Sequence, residues 1–288
     1  MRSLVILGTL LMATTQEAAA AADPLGLRVI TSNIRYAAPG GAYEKPWSIR
    51  GPLLIDRVSE TAANATAAGA VPVIGMQEVL HAQLLDILAG LGSAWTYLGT
   101  GRDDGKEAGE YCPILYQPAR VTLLSSTQNR RYVLAAVFED AATGTRFVAA
   151  NTHLDNASSA ARSEGVKIVL SVIRDVQAQW GPGLPVTLSG DFNSEPGADA
   201  YAAMVADGYL QDSYTLADEQ ARFGPYETYT GFVPDEVPEV SQRIDFLWLG
   251  PDAAATWDVT RYEVVDNVVG GVYFSDHRPV FADVTLKT

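Results

Sequence analysis

Apolar and polar positions along the chain follow two periods, and the switches between them predict its elements. Residues 27–34 read as a buried strand interrupted only by Arg28, and residues 71–76 as a second, fully apolar strand. Between them Leu54, Val58, Ala62 and Ala65 recur at helical spacing until Gly69 closes the run, which predicts a helix packed on a sheet. A second helix runs from His81 through Leu84, Leu85 and Leu88, and strands follow at 112–116 and 121–124. Residues 132–138 and 147–152 form a hairpin around the turn residues 140–144. Val166, Val169, Leu170, Ile173 and Val176 define one face of a third helix, stopped by Trp180-Gly181-Pro182-Gly183. A short helix at 201–209, a strand at 243–249 with Asp245 inside its apolar run, and a last strand at 279–286 complete the pattern. Three connections stand out: a Gly- and Pro-rich surface loop at 39–48 that includes Trp47, a short link at 125–130, and an aromatic, acidic loop at 223–238 expected on the substrate side.

Composition adds an expectation of export. Met1 and Arg2 precede an apolar run at 4–12 and a small-residue tract at 18–22, the layout of a cleavable secretory leader. The expected division is a leader over 1–21 and one domain over 22–288, secreted and extracellular. The apolar run is far shorter than the roughly 20 residues a spanning helix needs, so no membrane span is expected. A single cysteine, Cys112, allows no internal disulfide, and stability must come from the core. With 34 acidic residues against 20 basic ones, the net charge of -14 repels polyanions, so no stable nucleic-acid partner is expected. The chain is expected to act as a monomer.

The candidate chemistry lies where the strands end. Residues 189–196, Ser-Gly-Asp-Phe-Asn-Ser-Glu-Pro, close an apolar run and place Asp191 and Asn193 at a strand's carboxyl end, where open α/β sheets keep their sites. With Phe192 turned inward between them, an acceptor-only carboxylate and a two-way amide can share one pocket. On these eight residues alone, a turn and a site are equally good readings. Four other strand ends carry similar groups: Asn33, the pair Gln77-Glu78, the run Asn151-Thr152-His153-Leu154-Asp155, and Ser275-Asp276-His277. Asp245 is the natural partner of His277, because a carboxylate inside an apolar strand is costly without one.

In this combination the chain resembles the endonuclease/exonuclease/phosphatase superfamily, over nearly all of the sequence after the leader. The resemblance implies a four-layer sandwich of two mixed β-sheets flanked by α-helices, where pattern alone supports a single α/β-type domain. It also implies a metal-dependent phosphoesterase. Asn33, Glu78 and Asp276 would form the metal site, with Mg²⁺ the expected ion and Mn²⁺ or Ca²⁺ the alternatives. Some members carry an Asp two residues after the first Asn, where this chain has Arg35. Asp191 and Asn193 would position the attacking water, while His153 and His277, the latter oriented by Asp245, flank the phosphate. Whether Asp191 or His277 takes the proton is open at this level.

Arg102, Glu110 and Tyr229 are candidate substrate contacts, the first two in the Gly-rich loop 99–111 and the last in the 223–238 loop. The expected substrate is a small-molecule or lipid- or sugar-linked phosphoester. The alternatives are a catalytically silent binding module on the same fold and a nonspecific nuclease.

Overall fold

The computed structural model describes residues 24–41, 43–129, 132–233 and 240–287. The expected leader, Arg130, Arg131 and part of the 223–238 loop lie outside the described residues.

Two sheets carry the fold. The first contains β1 (Gly26–Asn33), β2 (Val71–Gln77), β3 (Thr96–Leu98) and β4 (Ile114–Tyr116). The second contains β5 (Val121–Asn129), β6 (Val133–Asp140), β7 (Arg146–His153), β8 (Val186–Asp191) and β9 (Gln211–Asp212). The chain then returns to the first sheet with β10 (Arg222–Phe223), crosses to the second with β11 (Asp245–Gly250), and returns again with β12 (Trp257–Val264). A small hairpin, β13 (Val268–Val269) with β14 (Val272–Tyr273), precedes β15 (Val280–Leu286). The strand orders are β10-β12-β15-β1-β2-β4-β3 and β5-β6-β7-β8-β11-β9. Both sheets are mixed, since β1–β2 and β7–β8 are parallel and most other pairs antiparallel.

Period-two alternation explains how the sheets stack. Leu27, Val29, Val71, Val73, Phe147, Ala149, Leu247 and Leu249 point into one apolar layer between the sheets. The other face of the first sheet, including Ile30, Ile74 and Met76, packs with α1 (Trp47–Ala67) and α2 (His81–Leu91). The other face of the second, including Val148, Leu188 and Trp248, packs with α3 (Ser159–Trp180) and α4 (Asp199–Asp207). The expected four-layer sandwich is therefore the observed one. Ser158 caps α3, its Oγ accepting from the Ala161 amide at 3.2 Å, and Gly181 ends it. Among the described residues, no helix is long and apolar enough to cross a membrane.

Three local expectations change. Trp47 is the first residue of α1 and not part of a loop; its indole Nε1 donates to Asp86 on α2 at 2.8 Å. Residues 125–129 are not a link but the continuation of β5, which absorbs a bulge between Leu123 and Ser125 and stays paired with β6 to Asn129. The segment after Phe223 is only partly a surface loop, because Thr228 and Thr230 are fully buried and bridge the strand ends that build the site.

Candidate active site

The carboxyl ends of parallel β1 and β2 meet those of parallel β7 and β8, and the pairing register aligns Asn33 with Gln77 and His153 with Asp191. Asp245 opens antiparallel β11 directly opposite Asp191. Asn33, Glu78, His153, Asp191, Asn193, Asp245 and His277 thus arrive at one place, whereas Gln77 and Asn151 pair with each other deeper between the sheets. Asn33 Nδ2 bridges the sheets, donating to Glu78 Oε1 at 3.1 Å and to Asp191 Oδ2 at 3.0 Å. Its Oδ1 accepts from the Arg35 amide at 2.9 Å, so the amide turns nitrogen, not oxygen, toward the carboxylates. Asn33 is arranged as a brace for Glu78 and Asp191 more than as an oxygen ligand. Glu78 itself sits just past β2 with φ 60, a left-handed turn that takes its side chain out of the strand's alternation.

Asp191 Oδ2 is also 3.4 Å from His153 Nε2 and 3.7 Å from His277 Nε2. Its Oδ1 accepts from the Asn193 amide at 2.8 Å, while Asn193 Nδ2 lies 3.1 Å from His153 Nε2 and donates to the Leu154 carbonyl at 3.0 Å. Phe192 is fully buried against Phe246 and Trp248, which fixes Asp191 and Asn193 on either side of it. On the far side of His277, Nδ1 meets Asp245 Oδ2 at 2.8 Å. Asp191, Asp245 and His277 are close enough to be considered as a shared ion site. The two carboxylates, however, face opposite nitrogens of one ring, Asp245 at hydrogen-bond distance and Asp191 at 3.7 Å, so the trio is a line and not a cage. Glu78 and Asp276 are the better cation ligands: hard oxygen donors, of which Asp276 takes a long 3.4 Å side-chain bond from Ser275.

Burial and charge set these groups against one another. Burial, then repulsion from Asp245, pushes the Asp191 carboxyl up to about 6, with His277 and His153 opposing. Burial also raises Asp276, and the Glu78 charge adds to it. Burial would raise Glu78 too, but the His153 and His277 rings and the donors on Asn33 and Tyr36 hold it below the ordinary value. For His277 burial favours the neutral ring, yet Asp245 and Asp191 outweigh it and raise the ring well above the usual histidine value. Glu78 and Asp276, oxygen-only donors whose charges repel each other, fit a divalent cation.

No family model matches the chain, and no curated protein sequence does. Solved structures do. An endonuclease/exonuclease/phosphatase protein of Bacteroides vulgatus is 31% identical, aligned over 91% of this chain and 99% of its own, with a TM-score of 0.74. The chain belongs to the endonuclease/exonuclease/phosphatase family. Two Bacteroides thetaiotaomicron structures are similar at 26% identity. One is a family protein covering 92% of this chain and 97% of its own, TM-score 0.76. The other, a mannosyl-6-phosphatase, covers 90% and 99%, TM-score 0.74.

In this family member the site opens into a cleft of about 670 Å³, lined by Arg35, Glu78, Arg102, Glu110, Tyr132, His153, Asp155 and Asn156 among others. Arg102 and Glu110 line this cleft and face each other at 3.4 Å. Tyr229 stacks edge-on to His277, with ring centroids 4.9 Å apart. Sequence reasoning missed Glu44, which holds Arg35 at 3.2 Å and brings a carboxylate back to the edge where Arg35 replaced one. It missed the buried Arg50, whose guanidinium donates to the carbonyls of Ile34, Arg35, Tyr36 and Phe274 and so ties the β1 end to the strand end before β15. It also missed Thr228, which donates to Asp245 Oδ2 at 2.7 Å. A helical arginine and a loop threonine carry no local signal of such roles.

Proposed function

We propose that the protein is a metal-dependent phosphoesterase acting on a small, polar phosphoester of the sugar phosphate type. The observation that carries the reading is Asp191 Oδ2 set among Asn33, His153 and His277 at 3.0–3.7 Å, beside the Glu78–Asp276 pair. Glu78 and Asp276 would hold the cation, with Mg²⁺ favoured by oxygen-only donors; its charge would offset that developing on the phosphoryl oxygens. Asn33 keeps Glu78 and Asp191 in place. Asp191 accepts the proton of the attacking water at Oδ2, and Asn193 helps to orient that water. His277, with Nδ1 on Asp245, offers Nε2 to a phosphoryl oxygen, and His153 faces the phosphate from the cleft side.

The cleft argues for the substrate class. Its volume suits a small ligand, and its walls are mostly charged or amide side chains with little apolar surface for a lipid tail. Its cations are already paired, Arg35 with Glu44 and Arg102 with Glu110, so they do not form the basic track a nucleic acid needs. The resemblance to a mannosyl-6-phosphatase points the same way. The test is a panel with Mg²⁺ at moderate salt: mannose 6-phosphate, p-nitrophenyl phosphate, bis-p-nitrophenyl phosphate, sphingomyelin and plasmid DNA. Highest kcat/KM on the sugar phosphate is expected, and highest efficiency on DNA or sphingomyelin would overturn the substrate reading. Chelator should abolish wild-type turnover; full activity in its presence would overturn the metal reading. We also propose export, on the pattern of residues 1–22, with mass spectrometry of the secreted chain as its check.

A further inference from the structure

The hydroxyl of Thr228 has its polarity fixed by its neighbours. The residue is fully buried, and its Oγ1 accepts from the amides of Ile244 and Asp245, both at 3.0 Å. A hydroxyl has two acceptor sites and one proton, so with both sites filled the proton is committed to the remaining contact, Asp245 Oδ2 at 2.7 Å. That same oxygen meets His277 Nδ1 at 2.8 Å. A hydrogen bond donated to a carboxylate oxygen favours its ionised form, so the contact from Thr228 favours the hydrogen shared with the ring lying on Nδ1. The other oxygen, Asp245 Oδ1, is buried without a hydrogen-bond partner among the described residues, so the carboxylate is held through Oδ2.

The backbone around Thr228 is equally committed. Its amide donates to the Gln242 carbonyl at 2.8 Å, its carbonyl accepts from the Arg278 amide at 2.6 Å, and Thr230 N donates to the Asp276 carbonyl at 2.7 Å. The segment is thus clamped between β11's approach and the strand end carrying His277. We propose that Thr228 is a positioning residue: it sets Asp245 so that the shared proton resides on His277 Nδ1, leaving Nε2 as the nitrogen offered to the phosphate. This rests on the role proposed above for His277, but it makes a claim about the resting protein that needs no turnover.

Nitrogen-15 spectra of the imidazoles test it first. The chain has three histidines, and the signal lost in His277→Ala identifies the ring. A proton bonded to Nδ1 of His277 in the wild type is expected, and an unprotonated Nδ1 would overturn the proposal whatever the enzyme's activity. Kinetics on p-nitrophenyl phosphate follow. Thr228→Val should lower kcat about 10- to 100-fold, the range of a group acting through a general acid–base residue, with KM within about twofold. Thr228→Ser, which keeps the hydroxyl, should restore kcat to within about threefold. In an Asp245→Ala background, Thr228→Val should add less than about twofold. Wild-type kcat in Thr228→Val, no rescue by serine, or a loss that multiplies with that of Asp245→Ala would each refute it. Should Thr228→Val fail to fold, Thr228→Ala read by the same kinetics takes its place, and the wild-type spectrum can still overturn the proposal. Absence of any wild-type turnover would count against the phosphoesterase reading and leave the spectral test intact.

Discussion

Followed along the same strands, the layer between the two sheets changes character every two residues. At one end Leu27, Val29, Val71, Val73 and Ala149 make an ordinary apolar core. Two residues beyond Val29, Val73 and Ala149 stand Thr31, Gly75 and Asn151, with Ser189 beside Asn151, and here the layer is polar but closed. Asn151 Oδ1 accepts from Gln77 Nε2 at 2.7 Å and from Ser189 Oγ at 3.2 Å, and its Nδ2 donates to the carbonyls of Met76 and Pro113. Every amide site is used. Two residues further lie Asn33, His153 and Asp191, where the network is open: the His153 side chain keeps 19% exposure, and the Ser275 hydroxyl reaches Asp276 only at 3.4 Å. A closed buried network fastens one sheet to the other, whereas an open one keeps capacity for a ligand and leaves charges opposed. Asparagine serves both purposes in this molecule, and what separates Asn151 from Asn33 is one step along a strand.

The sharpest test removes a residue from the open end. His277→Ala should cut turnover by about 10² to 10⁴-fold while circular dichroism stays that of the wild type. His153→Ala, on the exposed side of Asp191, should lose less, about 10- to 100-fold; equal losses would mean that burial does not distinguish the two rings. At the closed end the effect should fall on stability. Asn151→Leu strands the Gln77 amide and two carbonyls, and denaturant titration should show a loss of about 3 kcal/mol, with the folded fraction retaining its turnover.

A smaller effect is expected from Gly75→Ala. A Cβ there would lie 2.1 Å from Ser189 Oγ and 2.7 Å from Asn151 Cγ, so the sheets must part or Ser189 must turn. A loss of about 1–3 kcal/mol is expected. If alanine is accommodated without loss, the close approach of the sheets at this level is not a constraint.

The smallest effect lies outside both ends, at Arg162 and Asp199 on the outer helices. The arginine's hydrogen bond holds the Asp199 carboxyl at about 2, below its value of about 3.9 in an unfolded chain. A depressed folded value contributes stability that is complete above the unfolded pKa and disappears as pH falls through the folded one, here between about pH 4 and pH 2. The pair is partly exposed, so the term should be below about 1 kcal/mol. Asp199→Asn should flatten the acid limb of stability slightly and leave activity unchanged; an effect as large as that of Asn151→Leu would erase the distinction between the buried network and this partly exposed pair.

The sequence alone determined the elements that obey a strong period and the identity of the groups at their ends. Near-continuous apolar runs placed 27–34 and 71–76 as buried strands, helical spacing placed α1 and α3, and Asp245 announced a partner because a carboxylate within an apolar strand needs one. It left the link at 125–129 misread, since Ser125, Ser126, Thr127 and Gln128 look like a turn until a bulge and pairing with β6 show them to be strand. Only the tertiary structure decided which polar strand-end residues stay open and which close. Asn33, Gln77 and Asn151 are chemically alike, and each has a partner on the opposite sheet, 74 to 158 residues away in the chain. Only the fold turned Asn33 nitrogen-first toward Glu78, set Glu44 beside Arg35 and brought Thr228 onto Asp245, because hydrogen-bond direction depends on neighbours in space and no local period encodes them.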